Sequence, residues 1–311
     1  MRSLRIATRG SRLALWQTRH VAAALAQSHP GLTTSVVEVR TTGDILTDVP
    51  LSSVGSSAFF TREIETALLE GEADIAVHSL KDLASEDVPG LELAAILERE
   101  DPRDALLARA PCTLETLEAG ARVGTSSVRR KALISSMRPD LGLLDLRGNV
   151  PTRVRKLDEG GYDAIVLATA GLNRLGLGDR VSEHLDPARF IPAAGQGAIA
   201  IQVRADDSEA AAAAEVLQHR STRSAVDAER AFLAELKVGC QAPVGVHARI
   251  EEDRMDVRAV VLSASGDERL DVHAAGAPDQ AEELGRRLAA EVREKGGVEL
   301  IQAALGQARL S

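Results

Sequence analysis

Short apolar runs along the chain alternate with segments whose apolar residues recur every three or four positions. Leu4–Ala7 is one such run and predicts a strand. Ser11 is placed to cap a following helix, whose inward positions Ala14, Leu15, Thr18, Val21, Ala22 and Leu25 keep helical spacing. Ser35–Val39 predicts the next strand, Phe60–Leu69 a helix and Ile75–Val77 a strand. Alternating strands and helices imply a largely parallel sheet. The alternation restarts after Asp101-Pro102, with a short strand at Val123, a helix over Ser127–Ser136, a strand over Leu143–Leu146, a helix over Val150–Leu157 and a strand over Ala164–Leu167. Pro102 and Ile191–Gly195 interrupt the pattern and read as hinges between two α/β units. Ala210–Gln218 is helical, and a long helix follows Thr222 to Leu236. Three strand-like runs, Val246–Ile250, Met255–Leu262 and Arg269–Ala274, then precede a helix near Ala281–Arg293, the order of a small α+β domain.

At 311 residues the chain exceeds one comfortable core, so two or three domains are expected. Aromatics make up only 2%, too few to stack the bases of a single strand, and the net charge of −9 opposes a general nucleic-acid binder. The first apolar stretch is broken by Arg5, Arg9 and Arg12, which predicts neither a secretory signal nor a membrane span. Cys112 and Cys240 are too few and too separated for a disulfide framework, which fits a reducing cytoplasm, and the seven His lack metal-ligand spacing.

Charge is segregated along the sequence. Between Ala121 and Arg174 lie ten cations and five anions, an excess of five in a chain that is otherwise strongly acidic. The chain also has 32 Arg and only 5 Lys. Arginine suits bidentate recognition of carboxylate or phosphate, so an anionic partner is expected over ordinary solvated helix faces.

Ligands of open α/β sheets bind beyond the carboxyl ends of strands, where several polar clusters fall. Thr8-Arg9-Gly10-Ser11 follows the first strand and opens a helix. Thr125-Ser126-Ser127, with Arg129 and Arg130 in the next turn, repeats that placement as a candidate anion site; the plainer reading is a serine cap with surface arginines. Leu146-Arg147-Gly148-Asn149 sits comparably, and Arg153 and Arg174 follow similar turns. His78-Ser79-Leu80-Lys81-Asp82 ends an apolar strand and offers a carboxylate to the same crevice, or a simple surface ion pair. Cys240, on the Gly- and Pro-containing loop Val238–Gly245, is a candidate for covalent chemistry, while Cys112 reads as an inert apolar residue.

Together these segments resemble the porphobilinogen deaminase (hydroxymethylbilane synthase) family nearly end to end. The resemblance runs through Leu4–Arg9, Asp74–Asp82, Glu98–Ala105, Gly124–Arg130, Leu146–Asn149, Ala170–Gly176, Pro192–Gly197 and Gly239-Cys240-Gln241. It implies two α/β lobes like those of type II periplasmic binding proteins plus a small C-terminal α+β domain. The first lobe would span residues 1–98 and 197–217, the second 103–192 and the third domain 221–311.

The resemblance also implies an enzyme, a monomeric cytoplasmic transferase of haem biosynthesis that joins four porphobilinogen molecules head to tail, each with loss of ammonia, and releases hydroxymethylbilane. A dipyrromethane cofactor would be held by a thioether at Cys240. Asp82, Arg9 and Lys81 match catalytic positions. Ser79, Lys81, Thr125, Ser126, Ser127, Arg129, Arg130, Arg147 and Gly171 match cofactor-binding positions. Ser11, Arg9, Gln17, Arg147, Arg153 and Arg174 match substrate-binding positions. No metal, nucleic acid or membrane is implied. Every pyrrole unit carries an acetate and a propionate, which gives the arginines a polyanion to hold. Six pyrrole units served by one site would require the lobes or the Ser52–Phe60 loop to move. Three departures stand out: Ser57 where the family commonly has Lys, and Gly10 and Arg12 where Gln and Pro are frequent. The alternative is a two-lobed anion- or solute-binding module without catalysis, since that fold alone supports it.

Overall fold

The computed structural model describes residues 3–45, 61–239 and 241–308. Chain order begins with β1 (Leu4–Arg9), α1 (Arg12–Ser28), β2 (Thr34–Val39), α2 (Thr42–Ile45), α3 (Arg62–Leu69), β3 (Ile75–Ser79) and β4 (Leu91–Ile96). The second run is β5 (Asp104–Ala108), β6 (Arg122–Gly124), α4 (Val128–Met137), β7 (Gly142–Leu144), α5 (Val150–Asp158), β8 (Ala164–Ala168), α6 (Thr169–Arg174) and β9 (Glu183–His184). The chain then returns through β10 (Ile199–Arg204) and α7 (Ser208–Glu215). It ends with α8 (Arg220–Leu236), β11 (Val244–Glu251), β12 (Arg254–Leu262), β13 (Arg269–Gly276), α9 (Ala281–Glu294) and α10 (Gly297–Ala308).

Two mixed sheets and one antiparallel sheet result, so the fold is two α/β lobes with a small α+β domain. The first sheet has the order β2-β1-β3-β10-β4 and the second β7-β6-β8-β5-β9. Parallel pairing holds for β2-β1-β3 and for β7-β6-β8. Four of the five strands in each sheet share one direction, as the alternation implies; the exceptions are β10, antiparallel to both β3 and β4, and β5, antiparallel to both β8 and β9. Both odd strands carry the chain between lobes and therefore enter each sheet from the opposite end. The first sheet is covered on both faces: β1, β3 and β10 bury Ile6, Val77 and Ile201 against Val21 and Leu25 of α1, while Ala7 and Ala76 face Ile64 and Leu68 of α3.

The crossing segments are stitched to each other. Leu97 N donates to Ile199 O at 3.0 Å, and Glu100 N to Gly197 O at 3.2 Å. Gly197 has φ +94°, and a Cβ there would collide with Glu100 O, so this approach requires glycine.

The third domain touches both lobes. Its three-stranded sheet packs one face on α8 and α9 through residues such as Val257, Phe232 and Leu288. Val260 and Leu262 of β12 enter the core of the second lobe, and Val226 of α8 packs against Leu80 of the first. Glu229 of α8 is fully buried and ties this junction. Its carboxylate accepts from Arg99 Nη1 at 2.6 Å, Gly195 N at 2.6 Å and Ala248 N at 2.7 Å. A buried carboxylate needs such a set of donors to offset its lost hydration.

Candidate active site

Strand β3 ends at Ser79 in a short 3₁₀ turn over Leu80–Asp82. Leu80 is the anchor of this turn. It is 2% exposed, packs against Ile96, Ala198 and Val226, and donates its N–H to Ala198 O. A Cβ on Gly195 would collide with Leu80 Cδ2, so the glycine makes room for the anchor. With Leu80 fixed inward, Lys81 and Asp82 are the residues of this turn left partly exposed.

The facing wall comes from α4. Thr125 Oγ1 accepts from Ser127 N at 3.2 Å, Ser127 Oγ caps the helix by accepting from Arg130 N, and Ser126 Oγ donates to Leu146 O at 3.0 Å. The three hydroxyls thus hold the strand-to-helix turn in shape. Arg129 and Arg130, in the first turn, are 4% and 6% exposed. Cations are unfavourable at a helix start unless something offsets them. Here Asp104, the fully buried first residue of β5, accepts from Arg129 Nη2 at 2.8 Å and from Arg130 Nε and Nη2 at 2.9 and 2.7 Å. Burial alone would push the Asp104 carboxyl up, but Arg129 and Arg130 outweigh it and hold it down to about 2. The guanidiniums also donate to Ile191 O and Val166 O at 2.7 and 3.1 Å. The sequence offered these arginines to a ligand; the structure adds an internal anion that orients them.

Gln196, 1% exposed, connects this knot to the turn after β3. Its Nε2 donates to Pro102 O at 2.7 Å and Asp104 Oδ1 at 3.1 Å, and its Oε1 accepts from Lys81 Nζ at 3.3 Å. Burial lowers the Lys81 ammonium to about 8; Arg130 repels it further, Asp82 and Asp104 favour it, and Arg129 repels it. Lys81 as a residue is nonetheless only half-buried.

Helix α5 supplies the remaining cations. Asn149 caps it by accepting from Thr152 N at 3.0 Å, which places Arg147 just before it and Arg153 in its first turn. Arg153 Nε donates to Gly148 O at 2.7 Å. Burial lowers the Arg153 guanidinium to about 10, with repulsion from Arg130, Arg147 and Arg9 and support from Asp82. Six cations therefore converge, Arg9, Lys81, Arg129, Arg130, Arg147 and Arg153, against the two carboxylates of Asp82 and Asp104. The excess is four. Elsewhere in the cationic segment, Arg122, Lys131, Arg138 and Arg155 pair with Asp163, Asp145, Asp140 and Glu159. Its surplus charge is thereby concentrated at this cleft.

Other expected site residues lie where the lobes meet along α1. Ser11 caps α1 by accepting from Ala14 N at 3.2 Å. Gln17 Nε2 donates to Ser79 Oγ at 2.9 Å, which docks α1 on the end of β3. Gly171 of α6 faces Leu13 of α1, and a Cβ there would meet it at ordinary contact distance. Arg174 donates to Gly197 O at 2.6 Å and lies over the Trp16 ring at 5.8 Å, with burial lowering its guanidinium to about 10. Asp104 and Gln196 were not singled out as site residues, although both stand inside segments that carry the family resemblance.

Cys240 and the Ser52–Phe60 loop lie outside the described residues. The flank of the Cys240 loop is described: Lys237 takes a left-handed conformation with φ 54°, and Val238 O accepts from Ser85 Oγ at 3.5 Å, three residues beyond Asp82. Cys112 is a free thiol, raised by burial and by Glu183. Among the described residues no group of three His, Cys, Asp or Glu could hold a metal ion, and no helix is long and apolar enough to cross a membrane.

Two lobes that converge cations and one turn-borne carboxylate form a cleft of the class suited to an anionic small molecule. Comparison with known proteins takes this further. The porphobilinogen deaminase dipyromethane cofactor binding domain matches residues 4–212, and the porphobilinogen deaminase C-terminal domain matches residues 224–294. Porphobilinogen deaminase from Xanthomonas campestris pv. campestris (strain B100) is 50% identical over 301 residues, covering 97% of this chain and 99% of the relative. The protein of that name from Syntrophomonas wolfei subsp. wolfei is 46% identical over 301 residues, covering 97% and 98%. The chain belongs to the porphobilinogen deaminase family, a family of transferases. The non-catalytic solute-binding alternative is not favoured. Among solved structures, the substrate binding domain of a putative molybdenum ABC transporter from Clostridium difficile overlaps at a TM-score of 0.42 and 12% identity, covering 71% of this chain and 93% of that one. The Bordetella pertussis BvgS periplasmic VFT2 domain overlaps at 0.40 and 18%, covering 69% and 86%. Overlaps this loose carry no argument.

Proposed function

We propose that the chain condenses four porphobilinogen molecules head to tail, with loss of one ammonia each, to give hydroxymethylbilane, working as a cytoplasmic monomer. The observation that carries this reading is the cationic excess of four around one carboxylate, Asp82, that is not locked in the arginine knot. A dipyrromethane carries four carboxylates, two on each pyrrole, and the donor chemistry of Arg129, Arg130, Arg147, Arg153 and Lys81 fits it. Thr125, Ser126 and Ser127 shape the turn that carries Arg129 and Arg130, while Ser79 holds Gln17 and Gly171 packs against Leu13. When bound through a thioether at Cys240, the cofactor supplies a fixed pyrrole end onto which substrate units are added.

The chain's own residues do the rest. Arg9, Arg147, Arg153 and Arg174, with Ser11 and Gln17, hold the acetate and propionate of incoming porphobilinogen and the growing product. Loss of ammonia breaks the aminomethyl C–N bond, and the electron pair leaves with nitrogen. Positive charge then spreads onto the substrate's pyrrole nitrogen. Asp82 accepts a hydrogen bond from that N–H and stabilises the charge, which the surrounding cations would otherwise oppose. After C–C bond formation Asp82 assists removal of the displaced ring proton. Lys81, in its ammonium form beside it, steadies the carboxylate.

Intact mass spectrometry of the purified protein, followed by peptide mapping, tests the attachment. The expected result is added mass equal to two pyrrole units on the peptide containing Cys240, with Cys112 unmodified. An unmodified protein that turns over porphobilinogen to hydroxymethylbilane would overturn the thioether.

A further inference from the structure

We propose that Gln196 is a positioning residue that holds the Lys81 ammonium against the Asp82 turn, an inference that rests on the reading of Lys81 and Asp82 given above. The orientation of the amide is dictated by its neighbours. Pro102 O and the Asp104 carboxylate are acceptors only, so the NH₂ group must face them, at 2.7 and 3.1 Å. The carbonyl oxygen is then left to face Lys81 Nζ at 3.3 Å. Nothing about Gln196 is loose. Its N–H donates to Ala193 O at 3.0 Å, and its O accepts from Arg99 Nε at 2.8 Å, with Arg99 itself clamped by Glu229. A lysine side chain is a flexible stem that wanders unless its head is held. One rigid amide thus joins the arginine knot of the second lobe to the catalytic turn of the first.

The charged groups around Lys81 are Arg129 and Arg130 from α4, Asp104 from β5 and Asp82 from its own turn. Arg153 of α5 and Arg9 at the end of β1 complete the surroundings of Asp82. With two cations and two anions offsetting each other and burial disfavouring the ammonium, the Gln196 oxygen favours the charged form of Lys81, because the N–H of an ammonium is a stronger donor than that of a neutral amine. Burial and the two arginines already bring Lys81 to about 8, so its loss of charge falls within reach of a turnover assay. A residue that only supported the fold would scale activity evenly at every pH.

The test is the pH dependence of kcat/KM, which reports groups of the free enzyme, measured on cofactor-loaded protein with porphobilinogen. Lys81→Arg, a cation that does not titrate in this range, should remove the alkaline limb. Gln196→Met deletes the acceptor and should move that limb to lower pH by about one unit. Gln196→Glu places a carboxylate at the same point and should move it to higher pH. Folded Gln196 variants with the limb at its original pH, and activity merely scaled down, overturn the proposal. A limb that survives in Lys81→Arg overturns the reading of Lys81 itself, which is a distinguishable failure. If Gln196→Met does not accumulate as folded holo-protein, the direction of the shift in Gln196→Glu decides.

Discussion

Asp104→Asn keeps the shape of a fully buried side chain and removes the one negative charge shared by Arg129 and Arg130. Three hydrogen bonds from guanidinium groups and one from Gln196 then meet an amide that has one oxygen in place of two. Removing one partner of a buried ion pair typically costs about 3–5 kcal/mol, because the other charge stays buried without compensation. The acid-linked part has its own estimate. The Asp104 carboxyl is lowered from 3.8 to about 2, which corresponds to about 2 kcal/mol at neutral pH. A depressed carboxyl contributes its stability in full above its unfolded value, and loses it as pH falls from about 4 toward about 2. Urea unfolding of wild type and Asp104→Asn should therefore differ by about 2–5 kcal/mol at pH 7, and the gap should begin to close below about pH 4. Hydrogen exchange would place the loosening in α4 and at Ile191, where Arg129 is also tied. A gap under about 0.5 kcal/mol at pH 7, or one that ignores acid, would refute the reasoning, since surface substitutions lie in that range.

Two further outcomes are expected. Arg153→Leu removes the bond to Gly148 O and one cation facing Asp82, so KM for porphobilinogen should rise about ten- to a hundredfold with an unchanged far-ultraviolet circular dichroism spectrum; an unaltered KM counts against its substrate role. His78, 4% exposed, is lowered by burial from 6.5 to about 4. It contributes about 3 kcal/mol in full above pH 6.5, lost as pH falls toward about 4, so His78→Gln should flatten the urea midpoint over that window; equal acid slopes would contradict this.

The alternating strands and helices were legible because Leu4–Ala7, Ile75–Val77 and Ala164–Leu167 stand as apolar runs between helical patterns. The crossing strands Asp104–Ala108 and Ile199–Arg204 were not marked as strands from the pattern. A short buried run reads alike in either direction, and β5 and β10 are set by partners from distant parts of the chain, such as Ile201 opposite Val77. The predicted strand over Leu143–Leu146 ends at Leu144, since Leu146 N turns instead to Ser126 Oγ at 3.0 Å. The site shows the same limit. Arg129 and Arg130 were visible as cations at a helix start, but Asp104 lies 25 residues before Arg129 and Gln196 lies 115 beyond Lys81. Periodicity carries no information about pairings of that kind, which exist only once both lobes and the crossing segments are folded.

The central claim is that Asp82 provides the charge on which turnover depends. Asp82→Asn keeps its size at the turn after β3 and removes that charge. The measurement is single-turnover ammonia release by folded, cofactor-loaded Asp82→Asn given porphobilinogen. The account predicts a rate lower by about a hundredfold or more. A near-wild-type rate would contradict it and remove Asp82 from the chemistry.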